Sequence, residues 1–200
     1  IDTLGKSLQD EDSDVGKIAA KALAKINTPE ALRALIQGIE EVNNLSIGEA
    51  IVQSIASIDR EEAWHALLHI LEKHVDYRSG AVKELSSMGK RIVPLVIEKI
   101  QKTSDRQDHR YFLDILENIG KDSVAPLSNL LESTANSYLK TQIIKILGDI
   151  GDPEAIPILS KMFLDNRTKR YAEQSLKSIS NKLSPQDPRR EQIKNLLQNY

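Results

Sequence analysis

The sequence has no cysteine, which removes disulfides, thiolate metal sites and cysteine nucleophiles at one stroke. This absence suits a reducing, cytoplasmic setting. Aromatic residues make up only 4% of the 200 residues, with two Phe and one Trp. Strands favour aromatic and β-branched side chains, so their scarcity points to helices. No run approaches the ~18 apolar residues of a membrane helix, and no charged-then-apolar leader opens the chain. The expectation is therefore a protein without membrane contact. Charge of one sign is also lacking, at a formal net of −2. There is no Gly-rich phosphate loop and no G-x-S-x-G, so catalysis finds no support and no catalytic residue is assigned. The first residue is Ile1 rather than Met, which reads as a piece of a longer protein.

What is present is a repeat. INTPEAL from Ile26, IDREEAW from Ile58, MGKRIVP from Met88, IGKDSVA from Ile119 and IGDPEAI from Ile150 stand 32, 30, 31 and 31 residues apart, and Ile179 follows after 29. Three positions before each anchor stand Leu23, Ile55, Leu85, Leu116, Leu147 and Leu176. Five positions after the first five stand Ala31, Ala63, Val93, Val124 and Ala155. Three apolar columns held in frame over five units mark an array of like units. Each unit reads as two helices. The first carries apolar residues at helical spacing, as in Val15, Ala19, Leu23 and Ile26, and the second does the same, as in Ala63, Leu67 and Leu71. Between them lies a stop-and-restart signal. Gly89, Gly120 and Gly151 offer a left-handed helix end, Asp152 an N-cap, Pro153 a first helical residue that forgoes no hydrogen bond, and Glu154 a negative charge at the N-terminus. Thr28-Pro29-Glu30 repeats the device.

A helix pair of this length cannot cover both its apolar faces, so neighbours must stack. The pattern, clearest from Ile143 to Pro157, resembles the HEAT-repeat family, in particular the short phycobilisome-lyase-like units, over roughly residues 13 to 180. The resemblance implies an all-α fold, an α-solenoid superhelix of about six stacked antiparallel helix pairs. Read as one array, the chain divides into a remnant at 1–10, pairs at 13–42, 45–75, 76–103, 105–134 and 136–165, and terminal helices or a cap at 166–200. The family often opens its first helix with Val-Arg. Here Val15-Gly16 and Ile47-Gly48 lack the Arg, while Tyr77-Arg78 keeps it.

The resemblance also implies that the second helices line the concave side. Their outward polar positions make the candidate partner-binding stripe: Arg33, Gln37 and Glu40; His65, His69 and Glu72; Lys99 and Lys102; and Lys161. The fourth unit interrupts it with Pro126 and Leu130. A solvated face, which every amphipathic helix needs, explains the same residues without a partner. His65 and His69 have the four-residue spacing that presents two imidazoles to a metal. However, Ala66 follows His65 and no His-Glu dipeptide occurs, so no metal or other cofactor is assigned. By helical spacing His74 falls off that face, and Trp64 reads as core. Residues 1–62 carry net −6 and residues 161–200 net +5, with Arg167, Lys169, Arg170, Arg189, Arg190 and Lys194 forming a basic end. Opposite ends of this kind favour head-to-tail self-association. The leading expectation is a non-catalytic scaffold that binds a protein or peptide. The alternatives are a bilin lyase subunit or phycobilisome-related chaperone, as the resemblance implies, and nucleic-acid binding through the basic end. A phosphate-tracking groove would be basic along its length, which disfavours the last.

Overall fold

The computed structural model describes residues 1–103 and 106–199, with only the backbone of Gln107 and Asp108. Asp105, the expected opening of the fourth pair, and Tyr200 lie outside the described residues. Among the described residues every regular element is a helix. The chain has the α-solenoid architecture of stacked helix pairs, and its contacts gather into two compact units, Ile1–Met88 and Gly89–Tyr200.

Unit 1 begins with α1 (Asp2–Ser7), followed by the pairs α2 (Ser13–Ile26) with α3 (Pro29–Glu41) and α4 (Leu45–Ala56) with α5 (Glu61–Lys73). A 3₁₀ turn at Val75–Tyr77 then leads into α6 (Arg78–Ser87). The first helices α2, α4 and α6 pack in series, and α1 packs on α3. Leu8, just past α1, is fully buried, and its Cδ1 fills the space above Gly38 of α3.

Unit 2 holds α7 (Val93–Lys102), α8 (Arg106–Ile119) with α9 (Val124–Ser133), α10 (Ser137–Ile150) with α11 (Ile156–Phe163), then α12 (Lys169–Lys182) and α13 (Pro188–Asn199). Here α8, α10 and α12 pack in series, and α7 packs on α9. No helix among the described residues is long and apolar enough to cross a membrane.

Two of the three columns are core. Leu23, Ile55, Leu85, Leu116, Leu147 and Leu176 are all 0% exposed, and Ala31, Ala63, Val93, Val124 and Ala155 are at most 3% exposed. Burying each of the larger residues contributes about 1.5–3 kcal/mol. The anchor column itself departs from this. Ile26 is 41% exposed, while Ile58 is 2% exposed. Val15 is exposed as well.

The turns follow from their residues. Gly89, Gly120 and Gly151 take φ of +60°, +74° and +76°, and Asn27 does the same task at φ 52° in the first copy. Thr28 Oγ1 accepts from Ala31 N at 3.2 Å, and Asp152 Oδ1 accepts from Glu154 N at 2.8 Å. In unit 2 a 3₁₀ turn (Gly89–Arg91, Gly120–Ser123, Pro153–Ala155) precedes each second helix; α7 and α9 carry Pro94 and Pro126 in their first turns, while α11 starts three residues later than its Asp152-Pro153 signal suggests. The turn without Gly or Pro is held differently. Arg60 Nη2 reaches back 33 residues to donate to Asn27 O at 2.8 Å.

The register ten residues before each anchor explains where the family's Arg went. In two copies it is a small residue under a neighbouring helix: a Cβ on Gly16 would stand 2.6 Å from Ile47 Cδ1, and one on Gly48 would run into the Tyr77 ring. In the next two it caps the preceding second helix. Arg78 donates from Nε to Leu71 O at 2.9 Å and from Nη2 to Glu72 O at 3.1 Å. His109 Nε2 lies 3.1 Å from Ile100 O and 3.0 Å from Thr103 O, the terminal carbonyls of α7. His109 is 1% exposed, and its Nδ1 has no hydrogen-bond partner among the described residues.

Candidate functional site

The second helices bury one face against the first helices and leave the other open, and the candidate partner-binding residues lie on or beside that open face. In unit 1 these residues are engaged with one another. Arg33 Nη2 donates to Glu30 Oε1 at 2.7 Å, and Gln37 Nε2 donates to Glu41 Oε1 at 2.8 Å. His65 Nε2 lies 3.6 Å from Glu61 Oε1. Glu72 is half-buried, with its carbonyl taken by Arg78. Exposed ion pairs of this kind contribute about 0–1 kcal/mol each.

Glu40 ties α3 to α5, and the structure corrects the placement of His74 here. His74 Nε2 lies 3.1 Å from Glu40 Oε1, and His69 Nε2 lies 3.9 Å from the same oxygen. The His69 and His74 rings meet edge to face with centroids 6.5 Å apart. The helix ends at Lys73, and His74 adopts an extended backbone (φ −110°, ψ 93°), which turns its ring back to the face it would otherwise leave. No group of three or more His, Asp or Glu side chains among the described residues is placed to hold a metal ion. Trp64 is half-buried rather than core. Its column mixes buried Leu32 with exposed Pro94 and Ala125, so the position lies at the edge of the face.

Unit 2 presents a different surface. Lys102 pairs with Glu98 on its own helix, Lys99 is half-buried, and Lys161 Nζ donates to Glu132 Oε1 at 2.8 Å, linking α11 to α9. Between α7 and α9 the polar stripe gives way to a groove of ≈ 460 Å³. Its floor is Val93, Pro94, Ile97, Pro126 and Leu130, and its rim carries Gln101, Asn129 and Ser133. Pro126 and Leu130, which interrupt the stripe in the sequence, are what build it. The first-turn prolines cost no helix hydrogen bond and leave rigid apolar walls. The rim amides each offer both donors and an acceptor.

Half of the basic end is committed within the chain. Asp187 takes the guanidinium of Arg189 through both oxygens, with Nε to Oδ1 at 2.8 Å and Nη2 to Oδ2 at 2.5 Å. The Arg189 side-chain and backbone donors hold the Asp187 carboxyl down at about 2. Lys194 lies 3.7 Å from Glu191, and Lys169 Nζ sits 5.2 Å from the centre of the Phe163 ring. Arg167 and Arg170 are exposed and Arg190 is half-buried. On the first-helix side, burial pushes the Asp114 and Glu117 carboxyls above their ordinary value, and Asp149 and Asp114 add to the shift of Glu117.

Residues 1–86 and 93–179 match the family model described as HEAT repeats. No curated protein matches the chain in sequence. Among solved structures, human deoxyhypusine hydroxylase in complex with glycerol is 14% identical, with 98% of this chain and 82% of that chain covered and a TM-score of 0.41. The complex of CpcE and CpcF of phycocyanin lyase from a Nostoc species is 17% identical, with 99% and 93% covered and a TM-score of 0.40. At these scores neither likeness carries an argument about activity.

Proposed function

The chain belongs to the HEAT-repeat family, and from that premise we propose that it is a non-catalytic interaction module that holds a polypeptide segment along its second helices. The observation that carries this reading is the groove between α7 and α9. Its apolar floor, from Pro94, Ile97, Pro126 and Leu130, suits one or two apolar side chains. The amides of Gln101 and Asn129 at the rim suit the N–H and C=O groups of an extended main chain. Apolar centre with polar rim is the usual anatomy of a protein interface. The self-paired stripe of unit 1 then serves as a solvated flank. A bilin-handling role rests on the resemblance alone.

The test is peptide selection by display on the purified protein, followed by fluorescence polarisation with the enriched peptides. Ile97→Glu combined with Asn129→Ala should abolish their binding while far-UV circular dichroism stays helical. Arg33→Ala with His65→Ala should leave it intact. Peptides that bind the groove variant as well as they bind the parent would overturn the proposal.

A further inference from the structure

A second cleft lies in unit 1 between the first helices α4 and α6, away from the second-helix face. It measures ≈ 250 Å³ and is lined chiefly by Glu49, Gln53, Asp76, Tyr77, Lys83 and Glu84. That is below the roughly 300–1,000 Å³ of a site for a drug-sized ligand, and it suits a single long side chain.

Tyr77 is built into its wall. The residue is 6% exposed, and its ring lies on Gly48 so closely that an added Cβ would meet Cε1, Cζ and Oη. Its hydroxyl has no hydrogen-bond partner among the described residues, and the residue lines the cleft. The three carboxylates and the one ammonium make no ion pairs among the described residues either, whereas Arg33, His65 and Glu40 on the opposite row are all paired. Burial first, and then the charges of Asp76 and Glu49, push the Tyr77 phenol above its ordinary value. Those two carboxylates therefore act on the hydroxyl.

Three carboxylates against one ammonium select a cation. The described carboxylates are not gathered as a compact metal site requires, so the charge that satisfies them must be spread out and carried on a stem. We propose that this cleft binds one organic cation on an alkyl chain, a guanidinium or primary ammonium of the kind an arginine or lysine side chain carries. The Tyr77 hydroxyl accepts one N–H, the ring edge and the alkyl stem pack together, and Glu49 and Asp76 share the charge. A planar guanidinium meets several acceptors at once, so it is favoured over ammonium. This site stands apart from the α7–α9 groove, and either can fail without the other.

The test follows the tyrosine ¹³Cζ resonance during titration with butylguanidine and with butylurea, its neutral counterpart. Loss of the signal in Tyr77→Phe, which keeps the ring on Gly48, assigns the resonance. Butylguanidine should shift it saturably, and butylurea should not. Glu49→Gln with Asp76→Asn should weaken binding roughly fivefold, from two lost exposed charge contacts, with circular dichroism unchanged. A second arm titrates Gly-Gly-Arg-Gly-Gly against the same peptide with citrulline. Saturation by the arginine peptide assigns the cation to a polypeptide partner, and saturation by butylguanidine alone assigns it to a free small molecule. A linear shift, an equal response to butylurea, or an unweakened double variant would overturn the proposal.

Discussion

Alanine in place of Gly148 and of Gly80 should move stability in opposite directions. Both glycines lie inside helices, where Ala is favoured by about 0.8–1.0 kcal/mol. They differ in what faces them. A Cβ on Gly148 of α10 would stand 2.6 Å from Ser175 Cβ and Oγ and 2.7 Å from its backbone Cα on α12. No rotamer change relieves a backbone contact, and the two helices are stitched at this point. Ser175 Oγ donates to Ile144 O at 2.8 Å, and Ser178 Oγ donates to Gly148 O at 2.9 Å. Overpacking costs typically about 1–3 kcal/mol, and the strained serine bond is worth about 1 kcal/mol more. The propensity gain is outweighed, so Gly148→Ala should destabilise by about 1–3 kcal/mol. A Cβ on Gly80 of α6 meets only Val52 Cγ1, at 3.8 Å, which is ordinary contact. Gly80→Ala should therefore stabilise, by up to about 1 kcal/mol. Urea unfolding followed by circular dichroism, with unchanged slope, reports both as shifts of the midpoint. A higher midpoint for Gly148→Ala, or shifts of the same sign for the two variants, would refute the close-approach argument.

Leu147→Ala, at a fully buried column position, should cost about 2–5 kcal/mol. Ile26→Ala, at a position 41% exposed, should cost less than about 1 kcal/mol; equal losses in thermal melts would mean that the anchor is core after all. Asp187, held at about 2 against an ordinary 3.8, contributes stability that is full above pH 3.8 and is lost as pH falls through about 2. A ¹³C-detected titration of its carboxyl checks the value, and Arg189→Ala should let it rise towards 3.8 because the strongest donor to it is gone.

The columns three before and five after each anchor were legible because both are buried in every copy, one on each side of the turn that joins the two helices of a pair. There, any polar residue would be buried without a partner. The anchor is less legible because it sits at the point where the helix stops, and that point shifts. In the first copy α2 runs to Ile26 itself, and the left-handed Asn27 follows. In the second copy α4 ends at Ala56, and Ile58 drops into the turn, its N–H donating to Ile55 O at 3.0 Å. One apolar letter thus marks an exposed helix end in one unit and a buried turn in the next. His74 was misplaced for the same reason. Helical spacing holds only as far as Lys73, where the helix ends.

The contact surfaces were less legible because solenoid periodicity constrains what faces inward and leaves the outward positions to vary. The interruption at Pro126 and Leu130 was visible as a break in the polar stripe, yet only the packing of α7 against α9 makes it a groove. The α4–α6 cleft has a signal of its own kind, a small residue and a large one coupled across a repeat. Gly48 and Arg78 share a register, and the residue before Arg78 is Tyr77. With any side chain at 48 the tyrosine ring loses its seat. The glycine that replaces the family's Arg is therefore not a neutral loss. It gives the Tyr77 ring its seat on α4, beside carboxylates that make no ion pair among the described residues.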